Sequence, residues 1–401
     1  MYDHLISNRL ICMRQHGFLK GRSAVDLHLL MTSKWSSALD KKLQSLVLAL
    51  DIEGAFDRVW HRGLLSKLKS TGISGNLLDL MESYLKDRYL KVVINGKSSR
   101  TFPIEAGVPQ GSVLGPLLWN IFINDLLTMI PELDGFADDI TLSAFCKPEE
   151  IKTSTDQLNN RLLLIQKWGA MWQVLFAAKK TQFMVIWRAP VNARIRFGAK
   201  ILSNVDMVDI LGVQYDKTLS FSSHIAELAR RAAGKIAALR RITWAVDVRA
   251  LETLYKSQIR SVMEFAPLAW GGAAPTHKQL LDKMQRRVER IIYGAIENSN
   301  LQSLQHRRDV SGMAVMYKVH IANTDHLHPL RLEPRPAPRV TRAVAADTAR
   351  LALKEPRCNT LHQQLQFLPT YCKMWNRFLT SYPEINTAMR SVQHFKSAVN
   401  K

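Results

Sequence analysis

Three aspartates carry the strongest chemical signal in this chain. Asp51 ends the apolar run Leu46 to Leu50 in LVLALDIEGAFD (46–57), and some 90 residues later GFADD (135–139) supplies Asp138 and Asp139. The first segment is predicted as a strand closing on a carboxylate. The second is predicted as a tight acidic turn between Phe136 and the β-prone Ile140, Thr141 and Leu142. If both lie in one sheet, three carboxylates converge and repel one another, and a divalent cation is what keeps all three ionised. Metal binding is therefore expected there. Between the two sites, AGVPQGSVLGPLLWNIFINDLL (106–127) opens with Gly107, Pro109, Gly111, Gly115 and Pro116 before turning helical. Glycines let a backbone approach a ligand, and a nearby helix start offers amide donors to anions, so a nucleotide fits this loop; so does a plain tight turn entering a core helix.

The elements that must position these residues read as α+β through residue 218. Phe183–Ile186 and Asp209–Gln214 are predicted as short strands, with Gly198 and Lys217 in turns. Beyond 219 the pattern is helical. Ile225, Leu228, Ala232, Ile236 and Leu239 keep helical spacing, a second helix is predicted over 248–263, and Thr276 with Gln279 is read as a capping box opening a third. These three are expected to form one small bundle. Pro334, Pro336 and Pro338 predict an extended linker carrying Arg335, Arg339 and Arg342, followed by a separate small region.

Composition narrows the partners. The 401-residue chain carries 55 Lys and Arg against 34 Asp and Glu, a net charge of +21, most of it beyond residue 218. Such a field favours a polyanion through counterion release, although ribosome-like or membrane-surface binding fits charge alone. Its four cysteines are too scattered for a disulfide framework, which predicts a reducing compartment. No apolar run approaches the roughly 18 residues of a membrane span, and no signal-peptide pattern is visible, so an intracellular protein without a membrane partner is expected. Cys358, His362 and Cys372 lack a fourth ligand for zinc.

The motif order decides the family reading. LDIEGAFD, GVPQGSVLGP, FADD, WGAMWQVLFAAKKTQ and ILGVQYD, in that order, resemble the palm motifs of reverse transcriptases encoded by non-LTR retrotransposons of the Jockey-like group. QHGFLKGRSAVDL (15–27), RVWHRGLLSKLKSTGI (58–73), LYKSQIRSVMEFAPLAW, LDKMQRRVERII, PAPRVTR, FLPTYCKMWN and QHFKSAVN extend the likeness over most of the chain. The resemblance implies a right-hand polymerase: fingers (partial) and palm over 1–218, a helical thumb over 219–295, and a basic region over 296–401 with the Pro-rich linker near 332–342. It implies an RNA-directed DNA polymerase with two Mg²⁺ ions, or Mn²⁺ in their place, on Asp51, Asp138 and Asp139. A two-metal in-line displacement suits that carboxylate set.

The same resemblance makes Lys180 the general acid for pyrophosphate, Phe56 the ring that excludes a 2′-hydroxyl, and Gln110 with Gly111 the nucleotide contact. Leu211 and Gly212 become the primer grip, and Lys20 and Arg22 touch template phosphates. Arg230 and Arg231 lie on a basic helical face expected to meet nucleic acid. Trp168 and Trp172, four residues apart, are expected to pack rather than stack on bases. The implied partners are RNA template, DNA primer or target DNA, and dNTPs, in a cytoplasmic ribonucleoprotein and the nucleus. The sequence departs from relatives in lacking the finger strands and endonuclease that precede QxGF, in Gly54 where many carry Lys, and at Ala177. An N-terminally truncated product is therefore expected, and the alternative reading is an inactive remnant that still binds RNA or DNA. An RNA-templated RNA polymerase is disfavoured because Phe56 rejects ribonucleotides.

Overall fold

The computed structural model describes residues 1–335, 351–381 and 391–400, so Pro336, Pro338, Arg339 and Arg342 of the expected linker lie outside the described residues. The chain divides into two compact units: residues 1–24, 44–185 and 189–211 form the first, and 25–43, 186–188 and 212–401 the second. Among the described residues no helix is long and apolar enough to cross a membrane.

The first unit is built on a four-stranded sheet of β1 (Gln44–Leu50), β2 (Leu133–Phe136), β3 (Asp139–Cys146) and β4 (Gln182–Ile186), in the order β2-β3-β1-β4. Central strand β1 is a continuous apolar run because both of its faces are covered; Leu46, Val47 and Leu48 are fully buried. It pairs antiparallel with β3 from Gln44↔Cys146 to Leu50↔Ile140. Strands β2 and β3 form a hairpin that closes at Phe136↔Asp139, leaving Ala137 and Asp138 as its two-residue loop. Helices α1 (His61–Ser70), α2 (Gly115–Met129) and α3 (Ile151–Trp172) complete this core, with α1 on α2, α2 against β2 and α3 against β3. Pro116 sits in the first turn of α2, where its missing N–H costs nothing.

Between α1 and α2 the chain makes two short antiparallel pairs, Tyr89–Leu90 with Phe102–Pro103 and Val93–Ile94 with Lys97–Ser98. Asn95 and Gly96 turn the tip at φ 49° and 78°, both in the left-handed region that an Asn-Gly hairpin turn requires.

In the second unit, α4 (Ser222–Arg241) packs on α5 (Pro275–Tyr293). Ile225, Leu228, Ala232 and Ile236 are the buried stripe of α4, as their spacing demands. The helix expected over 248–263 is present, with a π-helical turn at Tyr255–Arg260 in its middle. The capping box at Thr276 and Gln279 is not: α5 begins at Pro275 after Ala274, without a side-chain cap. Proline at the first helical position needs no amide partner and starts the helix one residue before Thr276. The strand expected over Asp209–Gln214 is broken by a turn at Leu211 and Gly212, with φ 46° and 82°. Farther on, α6 (Leu304–His320) and α7 (Phe367–Ser381) share one apolar cluster with Leu29, Leu30 and Leu268, in which Trp375 and Phe395 are fully buried. The start of the proline segment is tied down: Arg335 N donates to Ala352 O at 2.7 Å and Lys354 N to Glu333 O at 2.9 Å.

Candidate active site

The register of the sheet brings the acidic residues to one end of it. Asp51 and Asp139 each lie one step beyond the last pair, Leu50↔Ile140, and Asp138 occupies the loop that precedes Asp139. Partial burial pushes the Asp139 carboxyl up to about 6, with repulsion from Asp138 and then Asp51 adding to it. Asp138 is raised by the same burial and by Asp51. The three groups therefore feel one another's charge.

Lys180 reaches this end because the segment before it pairs with the exit of β1. Glu53 N donates to Leu175 O at 2.9 Å and Ala177 N to Asp51 O at 2.8 Å, on either side of an Ile52↔Phe176 bridge. The Lys180 ammonium stands 3.5 Å from Asp51 Oδ2. That oxygen is buried and accepts no hydrogen bond among the described residues, a costly state for a carboxylate. Hard oxygen donors from two segments, mutual repulsion and an unfilled buried lone pair fit a divalent cation. Among the described residues, no three or more His, Cys, Asp or Glu side chains are gathered closely enough to hold a metal ion, so the convergence expected of the three carboxylates is not seen.

Phe56, half-buried, lies between two aromatic rings, edge-on to Phe18 at 5.9 Å and tilted on Trp119 at 5.6 Å. Its main chain holds the glycine loop: Val108 N donates to Phe56 O and Gly107 N to Val59 O, both at 2.8 Å. A Cβ on Gly107 would stand 2.9 Å from Asp57 O, and its φ of 94° already excludes most side chains. Gln110 Nε2 donates to Asp57 Oδ1 at 2.9 Å, and Gly111, at φ 80°, has no atom within 4 Å of where a Cβ would be. Beside them a cleft of about 820 Å³ is lined by Asp57, Arg88, Leu90, Glu105 and the 106–110 loop.

The remaining candidates are placed differently. Lys20 is exposed. Arg22 donates to the carbonyls of Cys12, Met13 and Gln15 at 3.4, 3.0 and 2.6 Å, so its guanidinium braces the 12–15 loop. Leu211 closes the first unit and Gly212 resumes the second. On α4, Arg230 and Arg231 are exposed, Arg230 in a bidentate pair with Glu227 at 2.7 Å. Trp168 and Trp172 pack inward, as their spacing implies: with Phe122 they surround the Lys67 ammonium, 3.8 to 4.7 Å from the ring centres. Nothing in the spacing of RVWHRGLLSKLKS marks Lys67, and Gln15, buried against the acidic hairpin, was visible only as part of QHGF.

Residues 1–215 match the family model described as reverse transcriptase (RNA-dependent DNA polymerase). The chain belongs to the reverse transcriptase family. It is 32% identical over 318 residues to the RNA-directed DNA polymerase from mobile element jockey of Drosophila funebris, covering 74% of this chain and 34% of that protein. The Drosophila melanogaster counterpart is 29% identical over 317 residues, covering 73% and 34%. These relatives bear out the Jockey-like resemblance read from the motifs. The chain spans about a third of the length of the curated relatives it matches.

Proposed function

We propose that this chain is an RNA-directed DNA polymerase of a non-LTR retrotransposon, extending a DNA primer on an RNA template with dNTPs. The observation that carries this reading is the meeting of Asp51 and Asp139 one step past the Leu50↔Ile140 pair, beside Asp138 and opposite Lys180. Asp51, Asp138 and Asp139 would hold two Mg²⁺ ions, or Mn²⁺ in their place, which would supply positive charge to the attacking 3′-oxygen and to the departing pyrophosphate.

The remaining roles belong to the same reading. Lys180 holds a proton near Asp51 and gives it to the leaving group as general acid. Phe56, propped by Trp119 and Phe18, is a wall that a 2′-hydroxyl strikes. Gln110, steadied by Asp57, reads the nucleotide, with Gly111 leaving it room. Leu211 and Gly212 bear on the primer end. Lys20 and Arg22 meet template phosphates, and Arg230 and Arg231 meet the nucleic-acid backbone. Residues 1–218 are fingers and palm, 219–295 the thumb, and 296–401 a basic C-terminal region.

Primer extension on an RNA template with Mg²⁺ and dNTPs tests this, wild type against Asp138→Ala. Incorporation abolished by the substitution supports the polymerase. Nucleic-acid binding without incorporation in either protein replaces it with a non-catalytic RNA- and DNA-binding role.

A further inference from the structure

We propose that Gln15 is a positioning residue for the acidic hairpin: its buried carboxamide grips the Ala137 peptide groups and so sets how Asp138 and Asp139 are presented. The proposal rests on the metal-binding reading of those aspartates. Two-residue hairpin loops with positive φ favour Gly, Asn or Asp, yet here the left-handed position, φ 58°, is held by Ala137. A residue with a Cβ pays for that conformation unless its surroundings enforce it. Ala137 is 6% exposed, and its N–H and C=O lie past the last pair of the β2–β3 ladder, where no strand partner remains.

Gln15, 1% exposed, supplies both missing partners from one planar group. Its Oε1 accepts from Ala137 N at 2.9 Å and from Gly17 N at 2.8 Å, while its Nε2 donates to Ala137 O at 3.2 Å. A carboxamide carries an acceptor and a donor in that geometry; an ionised Glu accepts only, and Met offers no donor and at most a weak acceptor. The main chain locks the group in place: Gly135 N donates to Arg14 O at 2.9 Å and His16 N to Gly135 O at 2.8 Å. Gly17 seals the contact, since a Cβ there would lie 2.2 Å from Ala137 N. Buried Asn120 in turn donates to Gly17 O at 2.9 Å, fastening the brace to α2. A shell of hydrogen bonds behind ligating carboxylates is the kind that tunes metal affinity without touching the ion.

The test compares wild type, Gln15→Met and Asp138→Ala, all confirmed folded by a cooperative melt. Mn²⁺ binding is read by electron paramagnetic resonance without nucleic acid, and primer–template affinity by anisotropy without metal. Gln15→Met is expected to weaken Mn²⁺ binding about tenfold or more and to lower kcat for dNTP addition similarly, with primer–template affinity within about twofold of wild type. A folded Gln15→Met with wild-type Mn²⁺ affinity overturns the proposal while Asp138→Ala still loses binding. If Asp138→Ala also binds Mn²⁺ normally, the metal reading itself fails, and the positioning role with it. Should Gln15→Met not fold, Gln15→Asn, one methylene too short to span to Ala137, decides by the same comparison.

Discussion

At the scale of single residues, the ring of Phe56 and the ammonium of Lys67 show how differently two side chains reveal their work. Phe56 is legible because it follows Asp51 by five residues in a motif, and its packing against Trp119 and Phe18 leaves it a rigid edge. Phe56→Ala is expected to admit ribonucleotides, lowering the dNTP-over-rNTP ratio of kcat/KM by about tenfold or more. An unchanged ratio removes the gating role. Lys67 had no such marker, because the groups that define it come from α2 and α3, more than 50 residues away. Its ammonium donates to Phe122 O at 2.6 Å and Asp125 Oδ1 at 2.7 Å inside the aromatic box. Burial lowers it to about 8, against the opposing pull of Asp125. The unfolded chain thus binds more protons between pH 8 and 10.5, so this lysine makes stability rise with pH across that window. The buried tyrosines Tyr215 and Tyr371, raised by desolvation, act oppositely above pH 10. The informative quantity is therefore the difference between wild type and Lys67→Met: the melting temperature of wild type should gain on that of the variant from pH 8 to 9.5, and parallel curves would contradict the buried ammonium.

At the scale of elements, the site depends on segments that pair across long sequence separations. The apolar run ending at Asp51 and the acidic turn at 138–139 were readable as strand ends, since period and composition are local properties. That Ala177 would hydrogen-bond Asp51, or Gln15 cap Ala137, was not, since each pairing joins surfaces more than 100 residues apart and no local propensity encodes the partner. Arg22 illustrates the converse: a basic residue in a basic chain suggests phosphate, and its added hold on the Met13 and Gln15 carbonyls is seen only in the folded chain. The Gly107 loop is an element-level constraint that sequence hinted at and geometry defines. Gly107→Ala is expected to destabilise the fold by about 1–3 kcal/mol, because both the positive φ and the Asp57 carbonyl resist a Cβ. It should also raise the KM for dNTP by displacing Gln110 from Asp57. A denaturant midpoint equal to wild type, at unchanged slope, would show that the loop yields freely.

At the scale of the whole molecule, the net charge of +21 states a class of partner without assigning contacts. The structure separates the two arginines that sequence had treated alike. Both are exposed, but Arg230 forms a bidentate pair with Glu227 at 2.7 Å, whereas Arg231 feels the same carboxylate only through its charge. Arg231→Glu is accordingly expected to weaken duplex binding and to flatten the dependence of log K on log salt by about one unit, with Arg230→Glu changing it less. Equal slopes for wild type and Arg231→Glu in a fluorescence titration would place that arginine away from phosphate. By itself, the sequence determined the order of motifs, the three aspartates, the α+β start and the helical continuation, because these are written in residue type and short-range period. It also determined the family. Only the tertiary structure decided that Asp51 and Asp139 leave their strands side by side, that residues 25–43 join the C-terminal unit, and which polar groups brace the hairpin. Those outcomes depend on strand register and on which buried donor finds which acceptor, and both are fixed by the packing of the folded chain as a whole.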